Sequence, residues 1–278
     1  MTKMIFSLII VYGCVALLLF LFQRSVIYYP HKLDKQFVFP PYAAGQEEVF
    51  ISCDDGCVIN GLFVPGMADK PTVLIFHGNA GNITHRDFLL REFNRLGCAA
   101  LIIDYHGYGK SEGTPTEKNL YLDAEASLSW LAQHKKVTPD RVVLYGESLG
   151  CGVAVELATH HRFRGLVLVT AFRNLASVAG YHFPFNLFPV NLILRDRFDN
   201  QAKIARVHAP LLFLHGTADE IIEAKDSAAL YELANPPKQR HLFEGADHNG
   251  LPFHDPGRYW AIIDAWLEES DRENGEKK

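Results

Sequence analysis

The segment RVVLYGESLGCGVAVELATHH, residues 141–161, joins a strand pattern directly to a helix pattern. A short, nearly continuous apolar run leads in, and an apolar stretch that begins with small residues leads out. Between them lies Ser148 in the spacing Gly-x-Ser-x-Gly, which is typical of a nucleophile on a tight strand-to-helix turn. Gly146, Gly150 and Gly152 leave room for this turn and for close packing of the helix on the strand. The pattern predicts a reactive hydroxyl at the carboxyl edge of a parallel sheet, beside a helix N-terminus.

A second serine has the same glycine spacing. Ser111 lies between Gly109 and Gly113 in GYGKSEG, after the apolar run ALIIDY. The residues that follow, EGTPTEKN, include Pro115 and are typical of a loop rather than of a helix start. We therefore predict that Ser148 carries the chemistry and that Ser111 belongs to a loop at the same edge of the sheet.

The rest of the chain alternates short apolar runs with longer amphipathic stretches. EEVFISC and CVINGLFVP flank an Asp-Gly turn and predict an antiparallel pair of strands. Six further runs are typical of strands covered on both faces: TVLIFHG, CAALIIDY, RVVLYG, GLVLVTA, PLLFLHG and RHLFEGA. Because helix patterns lie between these runs, we predict an α/β domain with a mainly parallel, eight-stranded sheet and helices on both faces.

A serine hydroxyl needs a base that takes its proton and a third group that orients the base. In this class of fold the acid follows the serine along the chain and the histidine comes last. Asp219 follows a strand run in LLFLHGTADE; Glu220 is the alternative acid, and a helix cap is the alternative role for Asp219. His248 lies in the glycine-containing loop after the last strand run, in HLFEGADHNG. We predict a catalytic triad of Ser148, Asp219 and His248.

The reaction also needs backbone N–H groups that stabilise the charge on the substrate's carbonyl oxygen. We assign one donor of this oxyanion hole to Leu149, which directly follows the serine. The other is assigned to Asn79 in HGNAGN, with Ala80 as the alternative. A phosphate-binding loop is excluded for HGNAGN because no Gly-Lys-Ser/Thr follows it. The spacing of Cys and His residues does not resemble a zinc site, so no metal site is predicted.

The N-terminus carries an uncharged run of twenty residues between Lys3 and Arg24. A helix of that length spans roughly 30 Å, the thickness of the hydrocarbon core of a bilayer. A cleaved signal peptide usually has a shorter apolar region, and a buried helix of a soluble domain is rarely apolar on all sides. We therefore predict a single-pass, uncleaved signal-anchor over residues 4–23, with Tyr28 and Tyr29 at the membrane interface. The flanking Lys and Arg residues favour a cytoplasmic domain by one charge.

Three further boundaries follow from composition. Residues 24–46 are rich in aromatics and proline and are predicted to form a linker. Residues 47–270 are predicted to form the α/β domain, and residues 271–278 a charged tail.

A net charge of −5 without a basic block excludes a nucleic-acid footprint. Five cysteines are an odd number and do not suggest a disulfide framework. Cys53 and Cys57 bracket the Asp-Gly turn, and whether they pair stays open.

Taken together, HGNAGN, DYHGYGKSEG, GESLG, LHGTADE and GADHN resemble the α/β-hydrolase superfamily in order and spacing. More narrowly, the chain is similar to the membrane-anchored, Bem46-like branch, with an N-terminal transmembrane helix and a small cap. The resemblance covers nearly the whole chain and implies Ser148, Asp219 and His248 as the triad. It also implies hydrolysis of an ester, thioester or amide through an acyl-enzyme, without a metal or an organic cofactor. Relatives often carry Arg where this chain has His106.

The segment at about 172–208 lies between two strand runs, where this fold inserts its cap. It contains YHFPFNLFPVNLIL, which is dense in aromatic and aliphatic residues. We hypothesise that this segment forms an apolar acyl-binding cap near the bilayer and that the substrate is therefore a small-molecule or lipid-like acyl compound. The alternative is that these residues simply pack onto the sheet. The same triad also suits a serine peptidase or amidase, although no feature that selects a peptide is visible. A non-catalytic membrane scaffold with a hydrolase fold is the remaining alternative. Whether the chain has protein partners stays open.

Overall fold

Strands and helices alternate along the chain in the computed structural model, which describes residues 2–182 and 190–275. The strands are β1 (Tyr29–Pro30), β2 (Glu47–Ser52), β3 (Val58–Val64), β4 (Thr72–Phe76), β5 (Ala80–Gly81), β6 (Ala99–Asp104), β7 (Val142–Glu147), β8 (Gly165–Val169), β9 (Leu211–Gly216) and β10 (Lys238–Phe243). The helices are α1 (Thr2–Ile27), α2 (Asp87–Arg95), α3 (Glu117–Trp130), α4 (Leu149–Ala158), α5 (Leu175–His182), α6 (Val190–Ile193), α7 (Asn200–Lys203), α8 (Ala224–Leu233), α9 (Leu251–His254) and α10 (Pro256–Gly275).

Eight of these strands form one sheet in the order β10-β9-β8-β7-β4-β6-β3-β2. Two strand pairs, β2–β3 and β3–β6, are antiparallel, and the other described pairs in this sheet are parallel. Side chains alternate along β4: Leu74 and Phe76 enter one apolar cluster, Val73 and Ile75 the other. Helices cover both faces, so the central strands are buried throughout. The predicted mainly parallel, eight-stranded α/β fold is confirmed.

Helix α1 is the one helix, among the residues described, that is long and apolar enough to cross a membrane. It ends at Ile27, so the first residues of the predicted linker are helical. Two polar contacts hold its end: the Gln23 amide donates to the Ile193 carbonyl at 3.0 Å, and the Arg24 guanidinium pairs with Asp196 at 2.9 Å. The predicted division into anchor, linker, domain and tail stays a prediction.

The predicted cap segment, residues 172–208, carries the helices α5, α6 and α7 and ends in a short 3₁₀ turn at Ile204–Arg206. Residues 183–189, in the middle of its aromatic stretch, lie outside the described residues. The predicted tail is helical as far as Gly275, and residues 276–278 also lie outside the described part.

The turn between β2 and β3 answers the question of cysteine pairing. The Cys53 N–H donates to the Cys57 carbonyl at 2.8 Å and closes the turn. Both side chains are nevertheless free thiols, as are those of the other three cysteines. The Cys53 thiol is buried and donates to Asp123 Oδ1 at 3.5 Å instead.

Candidate active site

Ser148 lies on a sharp turn between β7 and α4, in a backbone conformation that residues other than glycine rarely adopt. Its φ of 52° and ψ of −116° cost about 1–3 kcal/mol, which surrounding structure must offset. The turn is held by the Ser148 N–H, which donates to the Val169 carbonyl at 2.9 Å. A Cβ on Gly150 would come within 2.0 Å of the Phe76 carbonyl oxygen, so only glycine fits there. The strained turn lifts the hydroxyl above the carboxyl edge of the sheet.

The three predicted triad residues come together in one chain of hydrogen bonds. His248 Nε2 lies 3.1 Å from Ser148 Oγ, and His248 Nδ1 lies 2.7 Å from Asp219 Oδ2. We assign the ring proton to Nδ1, so that it donates to the carboxylate while Nε2 accepts from the hydroxyl. The alternative acid, Glu220, is exposed, and the N-cap position of α8 is occupied by Glu223, not by Asp219. Of the two acids considered, Asp219 is therefore the one that contacts the histidine.

Asp219 accepts hydrogen bonds on both carboxylate oxygens. The backbone N–H groups of Ile221 and Ile222 donate to Oδ1 at 2.9 and 2.8 Å. His215 Nε2 lies 3.3 Å from Oδ2, the oxygen that also faces His248. Burial alone would raise the pKa of Asp219, but the hydrogen bonds from His215 and His248 outweigh it and hold that pKa well below its ordinary value. The carboxylate is therefore ionised at neutral pH.

The two predicted oxyanion-hole residues flank the serine. Leu149 is the first residue of α4, where N–H groups have no partner within the helix. The Asn79 N–H has no hydrogen-bond partner within residues 2–182 and 190–275. Its carbonyl is held by the Tyr29 N–H at 2.9 Å and the Tyr108 hydroxyl at 2.7 Å. Asn79 lines the cavity described next, whereas the alternative donor, Ala80, is exposed and does not.

An apolar cavity of about 530 Å³ opens beside the serine. Its floor includes Ser148, Leu149 and Asn79. One wall is a face of α1, from Val15 to Ile27. The rest of the lining comes from α5, α6 and the loops that follow β8 and β9. The described part of the predicted cap thus faces the serine, and the N-terminal helix faces it as well.

Comparison with known proteins agrees with this architecture. The family described as "alpha/beta hydrolase fold" matches residues 71–189. An uncharacterized protein of Mycobacterium tuberculosis is 36% identical over 229 residues, which cover 82% of this chain and 80% of that protein. Protein bem46 of Schizosaccharomyces pombe is 32% identical over 207 residues, which cover 73% of this chain and 69% of bem46. This chain belongs to the α/β-hydrolase family. The resemblance to the Bem46-like branch is confirmed.

Solved structures support the fold of this α/β-hydrolase. The Pyrococcus furiosus esterase Pf2001 superposes with a TM-score of 0.71 at 18% identity, over 87% of this chain and 98% of the esterase. The Exiguobacterium antarcticum esterase EaEST gives a TM-score of 0.63 at 18% identity, over 79% of this chain and 99% of EaEST. The fold is thus one that esterases use.

The hydrogen bonds of Ser111 indicate a structural role in this α/β-hydrolase. It lies in a loop, is 2% exposed and contacts no residue of the predicted triad. Its hydroxyl donates to the Asp104 carbonyl at 2.7 Å and accepts from the Asn60 N–H at 2.8 Å. With both bonds satisfied, the hydroxyl ties the loop to β3 and β6.

Sequence reasoning missed several residues that support the site. Arg86 pairs with Glu147, the residue before the serine, at 2.8 Å. Its position, 61 residues away, carries no sequence signal for that contact. His215 lies in the same LHGTADE motif as Asp219 and could have been noticed as a neighbour of that carboxylate. Tyr108 belongs to GYGKSEG, which is predicted to be a loop, and its hydroxyl donates to the Asn79 carbonyl.

Proposed function

We propose that this α/β-hydrolase is a serine hydrolase that cleaves carboxylic ester or thioester bonds of apolar acyl substrates through an acyl-enzyme. The observation that carries the proposal is the hydrogen-bonded chain from Ser148 through His248 to Asp219, set on a strained turn at the floor of an apolar cavity.

In the first half of the proposed reaction, Ser148 Oγ attacks the carbonyl carbon of the substrate while His248 Nε2 takes the hydroxyl proton. Asp219 stabilises the imidazolium that forms. The negative charge on the carbonyl oxygen is stabilised by the N–H groups of Leu149 and Asn79, both of which line the cavity. The tetrahedral intermediate then collapses, and His248 returns its proton to the departing alcohol or thiol.

In the second half, a water molecule attacks the acyl-enzyme. His248 takes the proton of the water, and the same N–H groups stabilise the second tetrahedral intermediate. Its collapse releases the carboxylic acid and returns the proton to Ser148 Oγ. Water enters and the acid leaves, so the serine, histidine and carboxylate are regenerated.

The cavity supports an apolar acyl group as the substrate class. Val15 and Ile27 are twelve residues apart on α1, so the wall between them rises by about 18 Å, a length that suits a long acyl chain. The cavity is lined mainly by aliphatic side chains, which stabilise an acyl chain by roughly 0.8 kcal/mol for each buried methylene. Since α1 is long and apolar enough to cross a membrane, we propose that the substrate is lipid-like and is taken up close to the bilayer.

Labelling with a fluorophosphonate probe tests the proposed reaction. The phosphorus of the probe reacts with an activated serine, and mass spectrometry of the labelled peptides identifies that serine. We expect one modified residue, Ser148, in the wild-type chain. A probe on Ser111 would contradict the proposal, and the absence of labelling would favour the non-catalytic scaffold.

Substitution of Leu19 tests the acyl site separately from the chemistry. Leu19 lines the cavity, so Leu19→Trp fills space that a long acyl chain would occupy. We expect the ratio of kcat/KM for p-nitrophenyl dodecanoate to that for p-nitrophenyl butyrate to fall about tenfold or more, because each excluded methylene costs roughly 0.8 kcal/mol.

The neighbouring residue provides the matched control. Leu18 is 54% exposed and does not line the cavity, so Leu18→Trp should leave the ratio unchanged. Equal ratios for the two variants in the same detergent would show that α1 does not contact the acyl group. A short-chain optimum in the wild type would argue against an apolar acyl substrate.

A further inference from the structure

A cluster of side chains of the types that bind metal ions lies on the turn between β2 and β3 and on the loop that follows β6. It consists of Asp55, Cys57 and His106, each of which offers one ligand atom, and these atoms lie within 4.8 Å of one another. The cluster stands at the same edge of the sheet as Ser148, but two strands away in the sheet order. None of its three residues lines the apolar cavity. The cluster is therefore separate from the proposed active site.

The histidine of this cluster is already oriented for metal binding. Its Nδ1 is hydrogen-bonded to Asp123, and its backbone N–H donates to the other oxygen of Asp123 at 2.8 Å. Its Nε2 points the other way and lies 3.1 Å from Asp55 Oδ2. Metal-binding histidines usually donate one ring N–H to a carboxylate, as Nδ1 does here, and bind the metal through the other nitrogen, which here faces Asp55.

Burial differs across the cluster in a way that suits an ion entering from solvent. His106 and Asp123 are fully buried, so the ring is fixed from behind. Asp55 is exposed and Cys57 is partly exposed, so these two ligands lie on the solvent side of the buried ring.

We propose that Asp55, Cys57 and His106 bind a zinc ion, with water as the fourth ligand. Thiolate, imidazole and carboxylate are the ligands that zinc takes, whereas magnesium and calcium prefer oxygen ligands alone. With metal–ligand distances of about 2.0–2.3 Å, the ligand atoms of a tetrahedral zinc ion lie about 3.3–3.6 Å apart. The 3.1 Å between His106 Nε2 and Asp55 Oδ2 is close to that separation, so the two groups need to part only slightly.

Binding is an exchange of protons for the metal, without oxidation or reduction. The proton of the Cys57 thiol and the proton on His106 Nε2 pass to solvent. Bonds then form from zinc to Sγ, to Nε2 and to an oxygen of Asp55. The ion would join the β2–β3 turn to the loop that carries Tyr108, whose hydroxyl holds the Asn79 carbonyl. A ligand that binds only the folded chain also raises its Tm.

Titration of the full chain with zinc tests this site. The chain is kept in detergent micelles, stripped of metal and held reduced by a phosphine that does not bind zinc. A chromophoric chelator competes with the chain for zinc, and its absorbance reports the amount of zinc that it binds. We expect the wild-type chain to bind one equivalent of zinc. Asp55→Asn and Cys57→Ser should each raise the Kd for zinc at least about tenfold. Asp54→Asn is the matched control, since Asp54 is an exposed residue of the same turn and outside the cluster, and its Kd should equal that of the wild type.

Cobalt supplies a readout of the ligand atoms themselves. Bound Co²⁺ should give a thiolate-to-metal charge-transfer band that is lost in Cys57→Ser and kept in Cys53→Ser. The opposite pattern would place the ion in the buried group of Cys53, His106 and Asp123 and would overturn the proposal. So would the absence of saturable zinc binding, or wild-type Kd values in both Asp55→Asn and Cys57→Ser. Equal Tm values of the metal-free variants and wild type establish that each variant is folded.

Discussion

Replacement of Ser148 by alanine should abolish hydrolysis. Loss of Oγ is expected to lower kcat by a factor on the order of 10⁶, because the proposed acyl-enzyme forms on that oxygen. The fold should survive the change, since alanine retains the backbone N–H that donates to Val169 and removes only the hydroxyl bonded to His248. The measurement is kcat with p-nitrophenyl esters, together with the Tm of both proteins.

The second glycine-flanked serine is the control for this experiment. Ser111→Ala leaves the Asn60 N–H without its partner and should therefore lower the free energy of unfolding by about 1–3 kcal/mol. Its kcat at a temperature where it is folded should stay near the wild-type value. If Ser148→Ala retained activity while Ser111→Ala lost it, the assignment of the nucleophile would be reversed.

Replacement of Asp219 by asparagine should lower kcat by about 10⁴-fold. The carboxylate lies 2.7 Å from His248 Nδ1 and is ionised, so in the proposed mechanism it orients the ring and stabilises the imidazolium. An asparagine amide placed with its NH₂ toward Nδ1 would favour the tautomer that carries the proton on Nε2. That tautomer cannot accept the proton of Ser148, so chemistry rather than substrate binding should be impaired.

Glu220→Gln is the matched control, because it removes one carboxylate from the adjacent, exposed position. Its kcat and KM should equal those of the wild type. A large loss of kcat in Glu220→Gln with little change in Asp219→Asn would identify Glu220 as the acid. A large rise in KM at constant kcat in Asp219→Asn would contradict the role that we propose.

Acid should weaken the contribution of Asp219 to stability. The pKa of this carboxyl is lowered in the folded chain, so the stabilisation is fully present above the pKa of the unfolded chain. It is lost as the pH falls toward the folded-state pKa, when the proton displaces the hydrogen bonds from His215 and His248. The Asp219→Asn variant should therefore lose less stability than the wild type between neutral and acidic pH.

The fold and the three proposed catalytic residues were predictable because each depends on short, local patterns. Strand runs buried on both faces, the glycines around Ser148 and the motifs that carry Asp219 and His248 each occupy only a few residues, and the motifs follow one another in the order expected of this fold. The carboxyl ends of parallel strands meet at one edge of the sheet, so residues far apart in the chain were expected to meet there. The structure brings them within hydrogen-bond distance, and their catalytic role stays a prediction.

Other parts of the site depend on how distant elements pack. The apolar run at the N-terminus predicts a membrane-spanning helix, but nothing in it predicts that Leu19 faces the same cavity as Ser148. That arrangement follows from the contacts of Gln23 and Arg24 with Ile193 and Asp196, about 170 residues away.

Sequence alone thus determined the class of fold, the serine that stands on its sharp turn and the order of its partners, because backbone geometry and burial impose these patterns locally. Tertiary structure alone decided the wall of the cavity, the Arg86–Glu147 pair behind the turn and the cluster of Asp55, Cys57 and His106. The ligands of that cluster come from a hairpin turn and from a loop about fifty residues later, so no spacing typical of a zinc site appears in the chain. Such contacts depend on side chains of separate elements meeting in space, which hydrophobic periodicity does not encode.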